Sequence, residues 1–155
     1  MVNNKISSFV VLAIVTYSAS FIGGIVTYSS KEPWYSSLVK SNLNPPDWVF
    51  APVWTTLYFF MTVAIWLAWH KNRRNVNLIY YYLIHLLFNT TWSIVFFVFH
   101  NIFLALINLI ILILLIIFLI FKYKEVSQLS FYLMIPYLLW CFYALILNLS
   151  LFILN

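Results

Sequence analysis

The chain has 155 residues, of which 65% are hydrophobic and only 7% are charged, and its net charge is +5. Since soluble domains carry about one charged residue in four, this composition excludes an ordinary soluble protein. The basic residues lie between apolar runs rather than on one face, so the positive charge indicates membrane topology and not a nucleic-acid surface.

Five apolar runs follow one another, each close to the length that crosses a bilayer as a helix. None has the short alternating segments of a transmembrane β-barrel. We therefore predict an all-α membrane bundle of five transmembrane helices in one domain, with spans at about 6–28, 47–70, 78–99, 102–121 and 129–153. The first run is too long for the ~7–15-residue core of a signal peptide, so we keep it as a span.

The first connector, about 29–46, is long, aromatic and rich in proline, and we call it the cover. Pro45 and Pro46 fix φ and remove two backbone donors. The second span then starts near Asp47, whose charge suits the positive end of a helix dipole. We interpret the cover as an ordered segment over one end of the bundle. An ordinary interfacial loop anchored by Trp and Tyr is the alternative.

Span one contains the only two glycines of the chain, Gly23 and Gly24, on a face shared with Ser20 and Thr27. Each glycine costs a helix about 1 kcal/mol relative to alanine, so some other interaction must favour it. Close packing of a neighbouring helix is one explanation. A ligand lying against bare backbone is the other.

Aromatic residues form a stripe on three spans: Trp54 with Tyr58, Trp92, and Trp140. In the third span, His85 and Asn89 share the face of Trp92. Because amide and imidazole groups in hydrocarbon must find partners, this face is expected to point into the bundle. Structural hydrogen bonding between helices explains it equally well. No second histidine has ligand spacing in this span, so a metal or haem site at His85 is disfavoured.

The last two spans contain few polar groups. Asn108 in span four is expected to form a hydrogen bond to another helix. In span five, Trp140, Ala144 and Leu147 share a face, and Ala144 leaves a dent that fits either a flat ligand or a helix crossing. The single cysteine, Cys141, has no partner for a disulfide and no metal-site spacing, and we interpret it as a small buried hydrophobe.

Basic residues are distributed unevenly between the two ends of the bundle. One end has six: Lys5, Lys71, Arg73, Arg74, Lys122 and Lys124. The other end has Lys31 and Lys40. The positive-inside rule therefore predicts a cytoplasmic N-terminus, with the cover on the opposite side.

No catalytic constellation is visible in the sequence. The three acids are far apart, no nucleophile is paired with a base, and no phosphate-binding loop is present. Aromatic stripes with a few polar groups are typical of a pocket for a flat, mainly apolar ligand, although they also fit plain packing.

Several motifs resemble the translocator protein family (TspO/MBR, the peripheral-type benzodiazepine receptors). They occur in order along nearly the whole chain: Trp34-Tyr35, Asn44-Pro45-Pro46-x-Trp48, Ala51-Pro52-Val53-Trp54 with Tyr58, Phe88-Asn89-x-x-Trp92, and Ile135-Pro136-Tyr137-Leu138-x-Trp140.

This resemblance implies a five-helix membrane protein, often a homodimer, that binds porphyrins such as protoporphyrin IX and in some members sterols or benzodiazepine-type drugs. By motif position, Trp34 and Tyr35 belong to the cover. The remaining ligand-binding positions are Trp54, Tyr58, Asn89, Trp92, Leu104, Trp140, Ala144 and Leu147.

The chain also departs from the family pattern. Lys40-Ser41 replaces a Lys-Pro pair, Leu43 precedes the prolines, and Ile94-Val95 replaces prolines after Trp92. Asn108 stands where an acid is frequent, so we assign no proton chemistry there. The sterol-recognition pattern after span five lacks its Tyr and its Lys or Arg, which argues against sterol binding through it.

Three hypotheses follow. The first is a porphyrin receptor or sensor, with transport of the ligand as an open extension. The second is an enzyme that degrades porphyrin in light, with Trp54 and Trp140 as redox-active side chains. The third is a structural subunit whose stripes only pack. We expect no metal and no resident cofactor, and we expect a multi-pass protein of a bacterial cytoplasmic membrane.

Overall fold

The computed structural model describes residues 5–72 and 75–155, and the regular elements in these ranges are all helical. Five helices are long and apolar enough to cross a membrane. The predicted all-α membrane bundle is thereby confirmed.

The helices follow one another in the expected order. They are α1 (Lys5–Ser30), the short α2 (Trp34–Ser37) within the cover, α3 (Phe50–Lys71), α4 (Asn77–Ser93), α5 (Ile102–Val126) and α6 (Gln128–Leu154). A 3-10 turn at Asp47–Val49 leads into α3, and α4 continues as a π-helical turn at Ile94–Val98.

Two features of the helices differ from the sequence-based expectation. The cover contains a helical turn, α2. Helix α5 continues to Val126, beyond the predicted end near 121, and Lys122 pairs with Glu125 one turn later, at 3.3 Å. The side chains of Asn101 and Ser127 cap α5 and α6 by accepting hydrogen bonds from backbone N–H groups.

The five long helices form a closed ring. Helix α1 contacts α3 and α4, α3 contacts α6, α6 contacts α5, and α5 contacts α4. The ring order is therefore α1, α3, α6, α5, α4, which places α4 across the ring from the α3–α6 pair. The predicted hydrogen bond of Asn108 to another helix is confirmed, since its Nδ2 donates to Thr91 Oγ1 of α4 at 2.9 Å.

The ring interior has two parts, which we call the packed half and the hollow half. The packed half is filled by large side chains with 0–1% exposure, including Met61, Leu78, Tyr82, Leu119, Tyr123, Met134 and Tyr137. It contains the start of α1, fixed to the end of α3 by Ser8 Oγ and His70 Nε2, 2.7 Å apart. The hollow half lies next to the cover.

The basic residues divide between these two ends. Lys5, Lys71, Lys122 and Lys124 lie at the packed end, and Lys31 and Lys40 lie at the cover end. Arg73 and Arg74, which also entered the orientation prediction, lie outside the described residues.

Candidate functional site

A cavity of about 580 Å³ lies inside the hollow half, beneath the cover. Its lining comes from all five long helices and from the cover itself. The volume is within the usual range of small-molecule sites, about 300–1,000 Å³. A depression of similar volume on α1 is lined by that helix alone and is therefore not enclosed by other helices.

One wall of the cavity is an aromatic surface on α3 and α6. The rings of Trp54 and Tyr58 lie 5.6 Å apart, and Phe50 meets Trp140 edge-on at 6.0 Å. These residues face the same way because Phe50, Trp54 and Tyr58 recur at four-residue spacing on one side of α3.

The opposite wall is the aromatic cluster of α4 and its π-helical turn. Trp92 stacks on Phe96 at 5.1 Å, and Phe96 meets Phe97 edge-on at 4.8 Å. The π turn changes the regular 3.6-residue repeat just where Phe96 and Phe97 both enter the lining. Ile94 and Val95, which replace the family's prolines, begin this turn.

The two glycines of α1 have different surroundings. A Cβ at Gly23 would lie 3.3 Å from Ser93 Oγ, so this glycine permits close packing of α1 on α4. A Cβ at Gly24 would meet nothing within 4 Å, and Gly24 belongs to the cavity lining. Both explanations offered from the sequence therefore apply, one at each glycine.

The cover is attached to the bundle at several points. Lys31 Nζ and Asp47 Oδ2 form a hydrogen-bonded ion pair that joins its two ends, and both residues line the cavity. Tyr143 donates to the Leu43 carbonyl at 2.6 Å. The Asn155 side chain accepts from Val39 N at 2.9 Å and donates to Val39 O at 3.1 Å.

Tyr35 is the aromatic residue of the cover that enters the lining. Lys40 Nζ lies 4.3 Å from the centre of its ring, and Asn44 Nδ2 donates to its hydroxyl at 3.3 Å. Burial raises the pKa of the Tyr35 hydroxyl above its ordinary value, against the opposing effect of the hydrogen bond with Asn44. Tyr35 is therefore a neutral group at physiological pH.

A polar network lies at the inner end of the cavity. Tyr58 donates to Asn89 Oδ1, Asn89 Nδ2 donates to Tyr137 Oη at 3.0 Å, and Tyr137 Oη lies 3.0 Å from His85 Nε2. His85 Nδ1 lies 3.2 Å from the Tyr82 carbonyl. Both ring nitrogens of His85 thus have protein partners. Within residues 5–72 and 75–155 no group of three metal-ligating side chains occurs.

Two lining residues have buried polar atoms without a protein partner in the described ranges. Asn148 is 2% exposed and neither its Oδ1 nor its Nδ2 is hydrogen-bonded, and Trp92 Nε1 is also unpaired. Leaving a buried polar group unsatisfied costs about 1–3 kcal/mol. Such groups in a cavity wall are typical of a place that a ligand or water occupies.

The structure brings eight of the ten sequence-predicted residues into the lining: Tyr35, Trp54, Tyr58, Asn89, Trp92, Trp140, Ala144 and Leu147. Trp34 lies behind the lining, where it stacks on His100 at 4.4 Å and meets Phe96 edge-on. Leu104 is 48% exposed and faces away from the ring. It lies five residues from Leu109, which is in the lining, and this spacing rotates it about 140° around α5.

Comparison with known proteins agrees with this architecture. The model of the TspO/MBR family matches residues 9–154, which is nearly the entire chain. The chain therefore belongs to the TspO/MBR family. This membership confirms the resemblance drawn from the motifs between Trp34 and Trp140.

Relatives within the family are similar along most of their length. The tryptophan-rich protein TspO of Chlorobaculum tepidum is 31% identical over 157 residues, covering 99% of each chain. The translocator protein of Homo sapiens is 30% identical over 132 residues, which cover 83% of this chain and 78% of the human one. The tryptophan-rich sensory protein of Cereibacter sphaeroides is 32% identical over 117 residues, covering 76% and 73%.

Family motifs did not indicate every lining residue. Phe50, Phe96 and Phe97 line the cavity but were not assigned to the site from the sequence. For Phe96 and Phe97 the π turn sets which face each ring occupies, and a regular helical repeat does not predict it. Asn148 shares a face with Trp140 and Ala144, and this spacing was the available signal for it.

Proposed function

We propose that this protein is a membrane receptor or sensor that binds a porphyrin-type tetrapyrrole, or a similar flat apolar molecule, in the cavity beneath the cover. The observation that carries the proposal is a cavity of about 580 Å³ with aromatic walls on opposite sides of the ring. Flat conjugated ligands gain from stacking and edge contacts with such walls. Two relatives are named a sensory protein and a translocator protein, which supports sensing and leaves transport open as an extension.

The charge distribution also supports a ligand of this kind. Among the described residues that line the cavity, Lys31 is the cationic one. It lies at the cover end, with Asp47 beside it. The inner part of the lining consists of aromatic, aliphatic and neutral polar groups. Because an unpaired carboxylate is costly away from water, the carboxylates of a porphyrin are expected to lie at the cover end, near Lys31.

A fluorescence titration tests the binding. Protoporphyrin IX added to the purified protein in detergent is expected to quench tryptophan fluorescence saturably, at one ligand per chain. Trp140→Phe removes a fluorophore in the lining and should lower the quenched amplitude. Trp69→Phe is the matched control, since Trp69 contacts His70 and lies outside the lining. The structural-subunit hypothesis would be favoured if the quenching never saturates and is no larger than the quenching of free tryptophan by porphyrin in detergent.

Light-dependent porphyrin degradation is the second candidate function. It is favoured by one observation, that Trp54 and Trp140 both belong to the lining. A photo-excited ring can take one electron from an indole, leaving an indole radical cation and a reduced ring; the reduced ring would pass the electron to dissolved dioxygen, the oxidant of this photo-oxidative degradation. Under illumination the porphyrin absorption should fall, and the loss should disappear in Trp54→Phe/Trp140→Phe. A loss that persists in this double variant would exclude the indoles as the electron source.

We also propose a cytoplasmic N-terminus, a bacterial cytoplasmic membrane and a homodimer. Lys5, Lys71, Lys122 and Lys124 at the packed end, against Lys31 and Lys40 at the cover end, support the orientation. Family resemblance supports the dimer. Thiol labelling of Ser41→Cys from outside intact cells tests the orientation, with Cys141 buried as an internal control, and light scattering of the purified protein tests the dimer.

A further inference from the structure

In the polar network behind the cavity wall, the donor and the acceptor of each hydrogen bond can be assigned from the chemistry of the groups. It runs from Tyr58 through Asn89 and Tyr137 to His85, and all four residues are at most 6% exposed. It ends at the Tyr82 carbonyl, 3.2 Å from His85 Nδ1. A carbonyl oxygen can only accept a hydrogen bond, so it fixes the proton of the group that faces it.

The assignment then proceeds outward from that carbonyl. His85 must have its hydrogen on Nδ1, which leaves a lone pair on Nε2 when the imidazole is neutral. Tyr137 must therefore donate to Nε2, across 3.0 Å. Its oxygen is left to accept, and Asn89 Nδ2 donates to it, also at 3.0 Å. The Cys141 thiol is a further hydrogen-bond neighbour of Tyr137, but a thiol is only a weak donor and a weak acceptor, so it does not displace Asn89 or His85.

The last step determines the orientation of the Asn89 side-chain amide. With Nδ2 toward Tyr137, Oδ1 faces Tyr58 and accepts its hydroxyl hydrogen. With the amide reversed, Oδ1 would face Tyr137, so Tyr137 would donate to Asn89 and accept from His85 Nε2. The lone pair of His85 Nδ1 would then face a lone pair of the Tyr82 carbonyl. The second hydrogen on Nδ2 has no partner in the described part of the chain, and Asn89 belongs to the cavity lining.

We propose that His85 and Tyr137 are positioning residues that hold the Asn89 amide with a free N–H available to the cavity, so that the site selects ligands with a hydrogen-bond acceptor such as a carbonyl oxygen. The proposal rests on the proposed ligand-binding function. It goes beyond a purely structural role for the network, because a structural network would not make the preference among ligands depend on His85 and Tyr137.

Nitrogen NMR of histidine tests the proton order without any ligand. The chain has three histidines, so ¹⁵N-histidine labelling gives few signals, and His85→Gln identifies that of His85 by its loss. The expected result is a neutral imidazole with its hydrogen on Nδ1. A hydrogen on Nε2 would overturn the proposal, whatever the protein binds.

A matched pair of flat probes tests the consequence for binding. Fluorenone and fluorene have nearly the same shape, and only fluorenone has a carbonyl acceptor. In the unchanged protein fluorenone should bind about fivefold to tenfold more tightly, the value of one hydrogen bond. In His85→Leu and Tyr137→Phe this ratio should approach one, with fluorene affinity maintained.

His85→Gln is the conservative variant, because its amide oxygen can accept the Tyr137 hydrogen. It should retain the preference for fluorenone. A ratio that stays the same in His85→Leu and Tyr137→Phe would overturn the positioning role. If neither probe nor protoporphyrin IX binds, the proposed function fails, and the NMR result alone still decides the proton order.

Discussion

The packed and hollow halves are built from the same five helices, yet one is filled and the other encloses a cavity. In the packed half, large side chains such as Met61, Tyr82 and Tyr123 fill the ring centre. In the hollow half, small residues such as Gly24, Ser93 and Ala144 lie among the aromatic walls. The hollow half therefore has small residues interspersed among its aromatic rings, whereas large side chains meet at the centre of the packed half.

The largest expected effect is on stability and comes from a pair of leucines on α5. Leu119 is 0% exposed in the packed half, whereas Leu109 is 3% exposed and borders the cavity. Leu119→Ala should reduce the free energy of unfolding by about 2–5 kcal/mol, because it creates a new void in tight packing. Leu109→Ala should cost clearly less, since it enlarges an existing space. Thermal or denaturant unfolding in the same detergent measures both, and equal losses would contradict the division into halves.

The next effect comes from the unpaired amide in the hollow half. Asn148→Leu should stabilise the ligand-free protein by about 1–3 kcal/mol, because a buried polar group without a partner is removed. Asn108→Leu is the matched control. Asn108 also has an unpaired oxygen, Oδ1, but its Nδ2 is bonded to Thr91 at 2.9 Å, so its replacement should be clearly less favourable than that of Asn148. Melting temperatures that fall by the same amount in both variants would indicate that Asn148 already has a partner.

Filling the cavity from α1 should affect binding more than folding. Gly24→Leu places a side chain where a Cβ meets nothing within 4 Å, and protoporphyrin IX affinity should fall about tenfold or more. Unfolding stability should be maintained or rise, since glycine disfavours a helix.

Gly23→Leu is the control for this filling experiment. It clashes with Ser93, with the first contact at 3.3 Å, and should destabilise the pairing of α1 with α4. Unchanged porphyrin affinity in a folded Gly24→Leu protein would place the ligand elsewhere.

The smallest effect concerns the ion pair that joins the ends of the cover. Lys31→Met removes a partly exposed pair with Asp47 and should speed porphyrin dissociation about twofold to fivefold. Added salt should produce a similar change in the unchanged protein. Lys122→Met, which breaks the pair with Glu125 at the packed end, is the control and should leave dissociation unchanged. Stopped-flow displacement measures these rates.

Much of this architecture could be predicted from apolar runs and aromatic spacing. Trp54 and Tyr58 lie four residues apart on one helix, so their shared face follows from helical geometry alone. The inward face of Asn89 followed from the cost of an unpaired amide in hydrocarbon. These are local arguments, and they succeed because the geometry of a single helix determines which residues share a face.

The rest depended on information that local patterns do not contain. Leu104 was assigned by motif position, but the rotation of α5 is set by its packing against α4 and α6. The proton order from Tyr82 to Tyr58 depends on the positions of five residues from three helices. That Asn148 has no partner among residues 5–72 and 75–155 depends equally on every neighbouring helix.

The double hydrogen bond between Asn155 and Val39 has a practical consequence for purification. Any affinity tag fused after Asn155 would emerge beside the cover and would disturb the segment whose closure the dissociation assays measure. A tag fused ahead of α1 would instead lie toward the packed end, where the Lys5 carbonyl accepts a hydrogen bond from Trp66 Nε1 of α3. Constants from the two fusion designs should therefore be compared before either is interpreted.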